Sequence, residues 1–354
     1  MDFKLVLHEF LPNEEFVAAK RFGNGHINST YLLTTLKNEY FIVQRINNYV
    51  FKDVDMLMNN IVIVTNHLKN KNIESIEMIK ASNGKYYIEY EGSFFRMYRF
   101  MRETFTYESP EGMKTVENAA MAFGKFHNYL SDLDATQLGE TIPHFHDTPK
   151  RYNDLQTAIK EDKCNRVKTC KREIKIINKY VKYYSLITDG IKSGEVLLHI
   201  THNDPKINNA LFDDRTKAYR SIIDLDTVMP GSVLYDFGDA LRSLFTGDKE
   251  DSKNYKEVVG NPKIFNHYLN KYYKETKKFL TKREIELFAY APFILTMECG
   301  IRFLEDYLKG DVYFNTKYST HNLDRARTQI NLADSIIQNI DEYKNIVNKI
   351  TGIK

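Results

Sequence analysis

The first hundred residues are patterned as strands. Glu15–Arg21, Thr30–Thr35 and Tyr40–Ile46 are short β-type runs, punctuated by Gly23-Asn24-Gly25 and Lys37-Asn38. Val54, Leu57, Met58, Ile61, Val64 and Leu68 then recur at helical spacing and predict a helix from about Val50 to Leu68. Two more strands follow: Lys85–Tyr90 after the Asn83-Gly84 turn signal, and Phe94–Met101. Five strands and one helix make a small α+β unit over 1–101.

From about Ser109 the pattern is helical. Pro110 sits where a helix can start, and Ala120, Phe123, Phe126, His127 and Leu130 form one stripe of a helix over Glu117–Leu130. Later helices are expected at 150–190, 234–245, 263–276, 282–308 and 321–345. The run from Ala291 to Met297 contains Pro292 and reads as a buried helix. The junction near 101–108 is the expected boundary between 1–101 and 102–354, crossed once. The fold class is therefore α+β, with a small strand-rich lobe before a larger, mainly helical one. There are no internal repeats.

At 354 residues the chain is long enough for two lobes. Its net charge of +3 and pI near 8.4 give no reason to expect nucleic acid. One local exception is 160–182, where nine Lys/Arg face three acids. Such a strip either touches RNA or is the solvated face of a helix whose apolar side is Val167, Ile174, Ile177 and Val181. Cys164, Cys170 and Cys299 are too few and scattered for a disulfide framework or a zinc site, and read as reduced thiols. The first residues lack a signal-peptide pattern, and no apolar run approaches a membrane span. A cytoplasmic location without membrane association is expected.

The candidate chemistry lies in 199–226. Val196-Leu197-Leu198 leads into His202-Asn203-Asp204-Pro205-Lys206, Asn209 follows, and Ile222-Ile223 delivers Asp224, with Asp226 next but one. One carboxylate to accept a hydroxyl proton, plus an amide oxygen and a second carboxylate to hold Mg²⁺ against a triphosphate, are what phosphoryl transfer requires of a protein. A turn Asp capping its own backbone is the plain alternative for Asp204, and the Asn209 and Asp224 spacing argues against it. Gly-x-Ser-x-Gly, His-Glu-x-x-His, Gly-x-x-x-x-Gly-Lys-Ser/Thr and Cys/Ser-x-Pro-x-Arg are all absent, which removes the matching hydrolase and P-loop classes.

His202-Asn-Asp204-Pro-Lys-Ile-Asn-Asn209, with Asp224 twenty residues after Asp204, resembles the aminoglycoside phosphotransferase and choline kinase branch of the protein-kinase-like fold. Within it, Gly23-Asn-Gly-His26-Ile-Asn28-Ser-Thr-Tyr31, Phe41–Asn47, Ile223–Gly231, Tyr235–Arg242, Gly310–Phe314 and His321–Arg325 are most similar to N-acetylhexosamine 1-kinases. The likeness spans about 20–330. It implies an ATP-dependent, Mg²⁺-requiring kinase phosphorylating the anomeric hydroxyl of an N-acetylhexosamine. Asp204 is then the catalytic base, Lys206 the ammonium near the transferring phosphate and His202 a brace of the loop. Asn209 and Asp224 are the metal ligands, with Asp226 as a second ligand or a salt-bridge partner. Gly23, Gly25, Asn28, Gln44, Arg45 and Met101 are expected to meet the nucleotide, and His26, Asp204, Arg302 and Tyr313 the sugar. Asp236 resembles the family's loop-bracing acid. Partners are small molecules, ATP and an amino sugar.

The chain departs from the broad fold at one point. Kinase-like enzymes place a Lys on the third strand, paired with a Glu on the next helix. Here Gln44 stands at the Lys position and Asn59 near the Glu position. An amide pair supplies no fixed charge, so Arg45, Lys206 or Mg²⁺ has to carry it, or the nucleotide binds differently. Two other functions stay open: the same kinase chemistry on an aminoglycoside, choline, homoserine or another metabolite, and a non-catalytic nucleotide- or RNA-binding scaffold.

Overall fold

The computed structural model describes residues 2–23, 27–247 and 249–353. Two compact units are formed, one by 1–106, 132–143 and 210–230, the other by 107–131, 144–209 and 231–354. The units are not the contiguous spans 1–101 and 102–354. The segment carrying Asp224 and Asp226 groups with the strand-rich unit, so the chain enters that unit more than once.

In the first unit, β1 (Phe16–Arg21), β2 (Ser29–Thr35), β3 (Tyr40–Ile46), β4 (Ile88–Tyr90) and β5 (Ser93–Arg99) form an antiparallel sheet in the order β1-β2-β3-β5-β4. Central β3 buries Phe41, Ile42, Val43 and Gln44 in succession, as a strand covered on both faces does. Its register sets Gln44 opposite Thr30 on β2 and opposite Arg96 on β5. A helix absent from the sequence reading, α1 (Phe3–Phe10), begins where the Asp2 carboxylate accepts the N–H groups of Lys4 and Leu5. It adds Val6, Leu7 and Phe10 to a core with Phe41, Val43, Phe95 and Met97. Helix α2 (Val54–Asn70) starts later than Val50 because Asp53 caps it, accepting from Met56 N. Strand β6 (Thr104–Phe105) joins a second sheet in this unit. The three-residue β7 (His199–Thr201) belongs to the other unit. That second sheet has the order β6-β8-β9, where β8 (Ala210–Asp213) and β9 (Tyr219–Ile222) make a hairpin with Ala210 opposite Ile222.

The second unit is helical. Its first helix, α3 (Met113–Leu130), follows Gly112 and so starts after Pro110, and it buries the expected stripe of Ala120, Phe123, Phe126, His127 and Leu130. The expected helix over 150–190 is three: α4 (Thr148–Glu161), α5 (Lys171–Lys179) and α6 (Leu186–Ser193). The break comes at Asp162, which is left-handed (φ 39°) and turns its carboxylate onto the N–H groups of Arg166 and Val167. Every Lys between 160 and 182 is exposed and Ile177 is buried, as a solvated helix face requires, although Val181 is exposed as well.

Next come α7 (Val233–Thr246), α8 (Pro262–Thr276), α9 (Lys282–Leu287), α10 (Ala291–Lys309), α11 (His321–Gln338) and α12 (Ile340–Thr351). Pro292 lies in the first turn of α10, so it starts that helix and separates it from α9. Phe237 of α7 packs among Phe265, Tyr268, Tyr272 and Phe288, with ring centroids 4.4–5.9 Å away. Gly238 beside it is required by close approach, because a Cβ there would lie 2.5 Å from the Ala291 carbonyl oxygen. Among the described residues no helix is long and apolar enough to cross a membrane.

Candidate active site

In the second unit, β7 runs into the loop that carries Asp204. Buried Asp236, from the first turn of α7, accepts the backbone N–H groups of His202 and Asn203, both at 2.7 Å. Its Oδ2 also lies 2.7 Å from His127 Nε2, and the Tyr272 hydroxyl lies 2.7 Å from the other nitrogen of that ring. Burial works to raise the Asp236 carboxyl, and the His127 hydrogen bond and charge overcome it, holding the group below the usual carboxylate range. Glycine is required at 231, since a Cβ there would sit 2.5 Å from Thr201 Oγ1, which in turn donates to Asn203 Oδ1 at 3.1 Å.

Asp204 stands half-buried beyond this brace. Lys206 Nζ lies 3.0 Å from its Oδ1, and the Asp204 charge raises the ammonium above its ordinary range. The Lys206 side chain is itself 46% exposed. Asn209 donates through Nδ2 to the Asp204 carbonyl at 2.9 Å and approaches Oδ2 at 3.4 Å. Its amide nitrogen is thus turned to Asp204, and the amide oxygen is the atom offered elsewhere. His202 is the loop residue expected as a brace. Its ring is fully buried, edge-on to Phe123 and Phe126, and its Nδ1 accepts the Asp204 N–H at 3.2 Å.

Arg302, on α10, has its guanidinium over the rings of Phe145 and Phe314. The acids that could have paired with it are engaged elsewhere. Glu298 holds His146 and Thr148, Glu305 holds Lys309, and Asp306 accepts the N–H groups of Val312, Tyr313 and Phe314. Tyr313 is therefore on a loop fixed by its backbone, with its side chain exposed. Deeper in this unit, Asp239 pairs with Arg242 at 2.5 Å.

In the first unit, Asp224 follows β9 in a left-handed conformation (φ 60°) and is exposed, while Asp226 is buried. Of the two roles expected for Asp226, the salt bridge is the one seen: Oδ1 is ion-paired with Arg96 and Oδ2 accepts from Asn28 Nδ2. The Gln44 oxygen accepts from Arg96 Nε at 2.9 Å and Nη2 at 2.7 Å, and Gln44 Nε2 donates to Thr30 at 3.0 Å. Arg45 is exposed and, one residue along the same strand, faces the opposite way from Gln44. On α2 the buried amide is Asn60, not the exposed Asn59. Asn60 donates to the carbonyls of Gly139 and Val228 at 2.7 and 2.9 Å. Gly23 makes an exposed left-handed turn (φ 71°), and Met101, half-buried, accepts from the Thr104 hydroxyl. Gly25 and His26 lie outside the described residues.

Sequence reasoning missed Arg96, which sits mid-strand among apolar residues and carries no motif. The signal was there: an Arg in Phe94-Phe95-Arg96-Met97 on an otherwise apolar strand demands a buried acid.

The model of the phosphotransferase enzyme family, APH, matches residues 18–257, and the chain belongs to that family of small-molecule phosphotransferases. Solved structures agree on the kinase-like fold. An amicoumacin kinase in complex with AMP-PNP and Ca²⁺ is 13% identical with a TM-score of 0.63, covering 94% of this chain and 93% of its own. A spectinomycin phosphotransferase in complex with ADP and spectinomycin is 13% identical with a TM-score of 0.63, covering 96% and 98%. A choline kinase from Cryptosporidium parvum Iowa II is 14% identical with a TM-score of 0.58, covering 98% of each.

Proposed function

We propose that the chain transfers the γ-phosphoryl group of ATP to the anomeric hydroxyl of an N-acetylhexosamine, N-acetylglucosamine or N-acetylgalactosamine. The observation that carries the reaction class is the Asp204 loop. A half-buried carboxylate sits on a backbone fixed by Asp236, with an ammonium and an amide at its sides. Asp204 accepts the hydroxyl proton as the new P–O bond forms and the bond to the β–γ bridging oxygen breaks, releasing ADP. Lys206 adds positive charge beside the transferring group. The oxygen of Asn209 and exposed Asp224 are hard donors suited to Mg²⁺, which keeps waters and phosphate oxygens in its sphere. Mg²⁺ would neutralise charge on the phosphates.

The sugar part of the reading rests on the motif likeness and on Arg302. A cationic acceptor such as choline or an aminoglycoside wants an uncompensated acid. In the second unit Glu298, Asp306 and Asp239 are all engaged, while Arg302 has no acid partner among the described residues. That balance favours a neutral, oxygen-rich acceptor. The test is incubation with ATP, Mg²⁺ and a panel of N-acetylhexosamines, neutral hexoses, choline, homoserine and aminoglycosides, followed by identification of the phosphorylated oxygen. Sugar 1-phosphate supports the reading. Turnover confined to another alcohol keeps the chemistry and overturns the acceptor, and no turnover with any acceptor overturns both.

A further inference from the structure

We propose that Arg96 carries the fixed positive charge for the nucleotide's phosphates, moved one strand across the sheet from the usual third-strand position. The inference rests on the phosphotransfer reading above. Gln44 cannot supply charge, but β3–β5 register sets Arg96 directly opposite it, and the guanidinium clasps the Gln44 oxygen through two N–H groups. Among the described residues of the first unit, Arg96 is the buried Lys or Arg, at 2% exposure. Burial pulls against its charge, and Asp226 more than offsets that, so it stays charged.

Two other segments meet this β5 cation directly, β3 through Gln44 and the 224–226 segment through Asp226, and Asn28 at the end of the glycine loop holds Asp226. Asn28 in turn accepts the Asn47 N–H at 2.9 Å. A guanidinium has five N–H donors, and Nε, Nη2 and Nη1 are turned to Gln44 and Asp226.

The experiment is calorimetric binding of Mg²⁺–AMP-PNP and of adenosine to the full chain. Removing Arg96 alone strands a buried acid and risks misfolding. The informative variants are therefore Arg96→Gln with Asp226→Asn, which removes both charges, and Gln44→Lys with Arg96→Gln, which returns a cation to β3. We expect the first to weaken AMP-PNP by on the order of 10- to 100-fold, with adenosine changed less than about twofold. The second should recover at least about tenfold of that loss. If the doubly neutral variant binds AMP-PNP like wild type, Arg96 merely neutralises Asp226 and the proposal falls. Equal weakening of adenosine, or no recovery in the swap, overturns it too. Wild-type protein that binds no AMP-PNP would instead sink the phosphotransfer reading, and Arg96 with it.

Discussion

Replacing Asp236 with Ala tests the central mechanical claim, that the Asp204 loop is held from below by one carboxylate. Three donors converge on it at 2.7 Å: the N–H groups of His202 and Asn203, and the His127 ring. The substitution leaves two buried N–H groups and one imidazole without an acceptor, at about 1–3 kcal/mol each. Relief from burying a charge returns part of this, so the net loss should be about 3–5 kcal/mol. Against a total of roughly 5–15 kcal/mol, that is a large fraction. Urea unfolding followed by circular dichroism measures it, with phosphoryl transfer assayed below the variant's midpoint. Tyr272→Phe is the companion variant. It removes one hydrogen bond to the same ring and should cost only about 1 kcal/mol. The pH dependence has a fixed sign. Because the folded-state pKa of Asp236 is depressed, its contribution is present above the unfolded carboxylate value, about 4, and lost as pH falls through the lower folded value. Wild type should therefore lose stability on acidification below about pH 4 more steeply than the Ala variant. A loss under about 1 kcal/mol, or full turnover in a destabilised variant, would show that Asp236 does not position Asp204.

Asp204→Asn should keep the fold and lower turnover by about 10²- to 10⁴-fold, because an amide cannot take the hydroxyl proton; near-wild-type turnover would remove Asp204 from that role. Gly231→Ala should destabilise by about 1–3 kcal/mol through the 2.5 Å approach to Thr201 Oγ1, and unchanged thermal melting would show that the loop gives way cheaply. The Cys170 thiol is buried and pushed up to about 11 by that burial, while Cys164 is exposed. Iodoacetamide at pH 8 should therefore label Cys164 first, and fast labelling of Cys170 in native protein would contradict its burial.

How much of this was legible in the sequence depends on how local each feature is. The strands of the first hundred residues and the helix expected from about Val50 to Leu68 are written in short patterns, and the structure has them within a few residues of those bounds. Helix α1 was not seen because its start depends on a single Asp2 cap and its end on burial against β3 and β5. The expected helices over 150–190 and 282–308 broke at a left-handed Asp162 and at Pro292, where side-chain capping and ring geometry outweigh helical periodicity. The charge question could not be settled from sequence for a sharper reason. Reading along β3, Gln44 and Arg45 are neighbours, and Arg45, Lys206 and Mg²⁺ all stay open as the source of the charge. Period two sends Arg45 outward, and only the antiparallel register, fixed by strands fifty residues apart, sets Arg96 against Gln44. The same register explains Asp226. Two residues from Asp224 it looks like a second metal ligand, yet a buried guanidinium must have a carboxylate, and Asp226 is the one that reaches it. A substitution on β3 and a buried cation on β5 are thus one feature, and they have to be mutated as a pair to be understood.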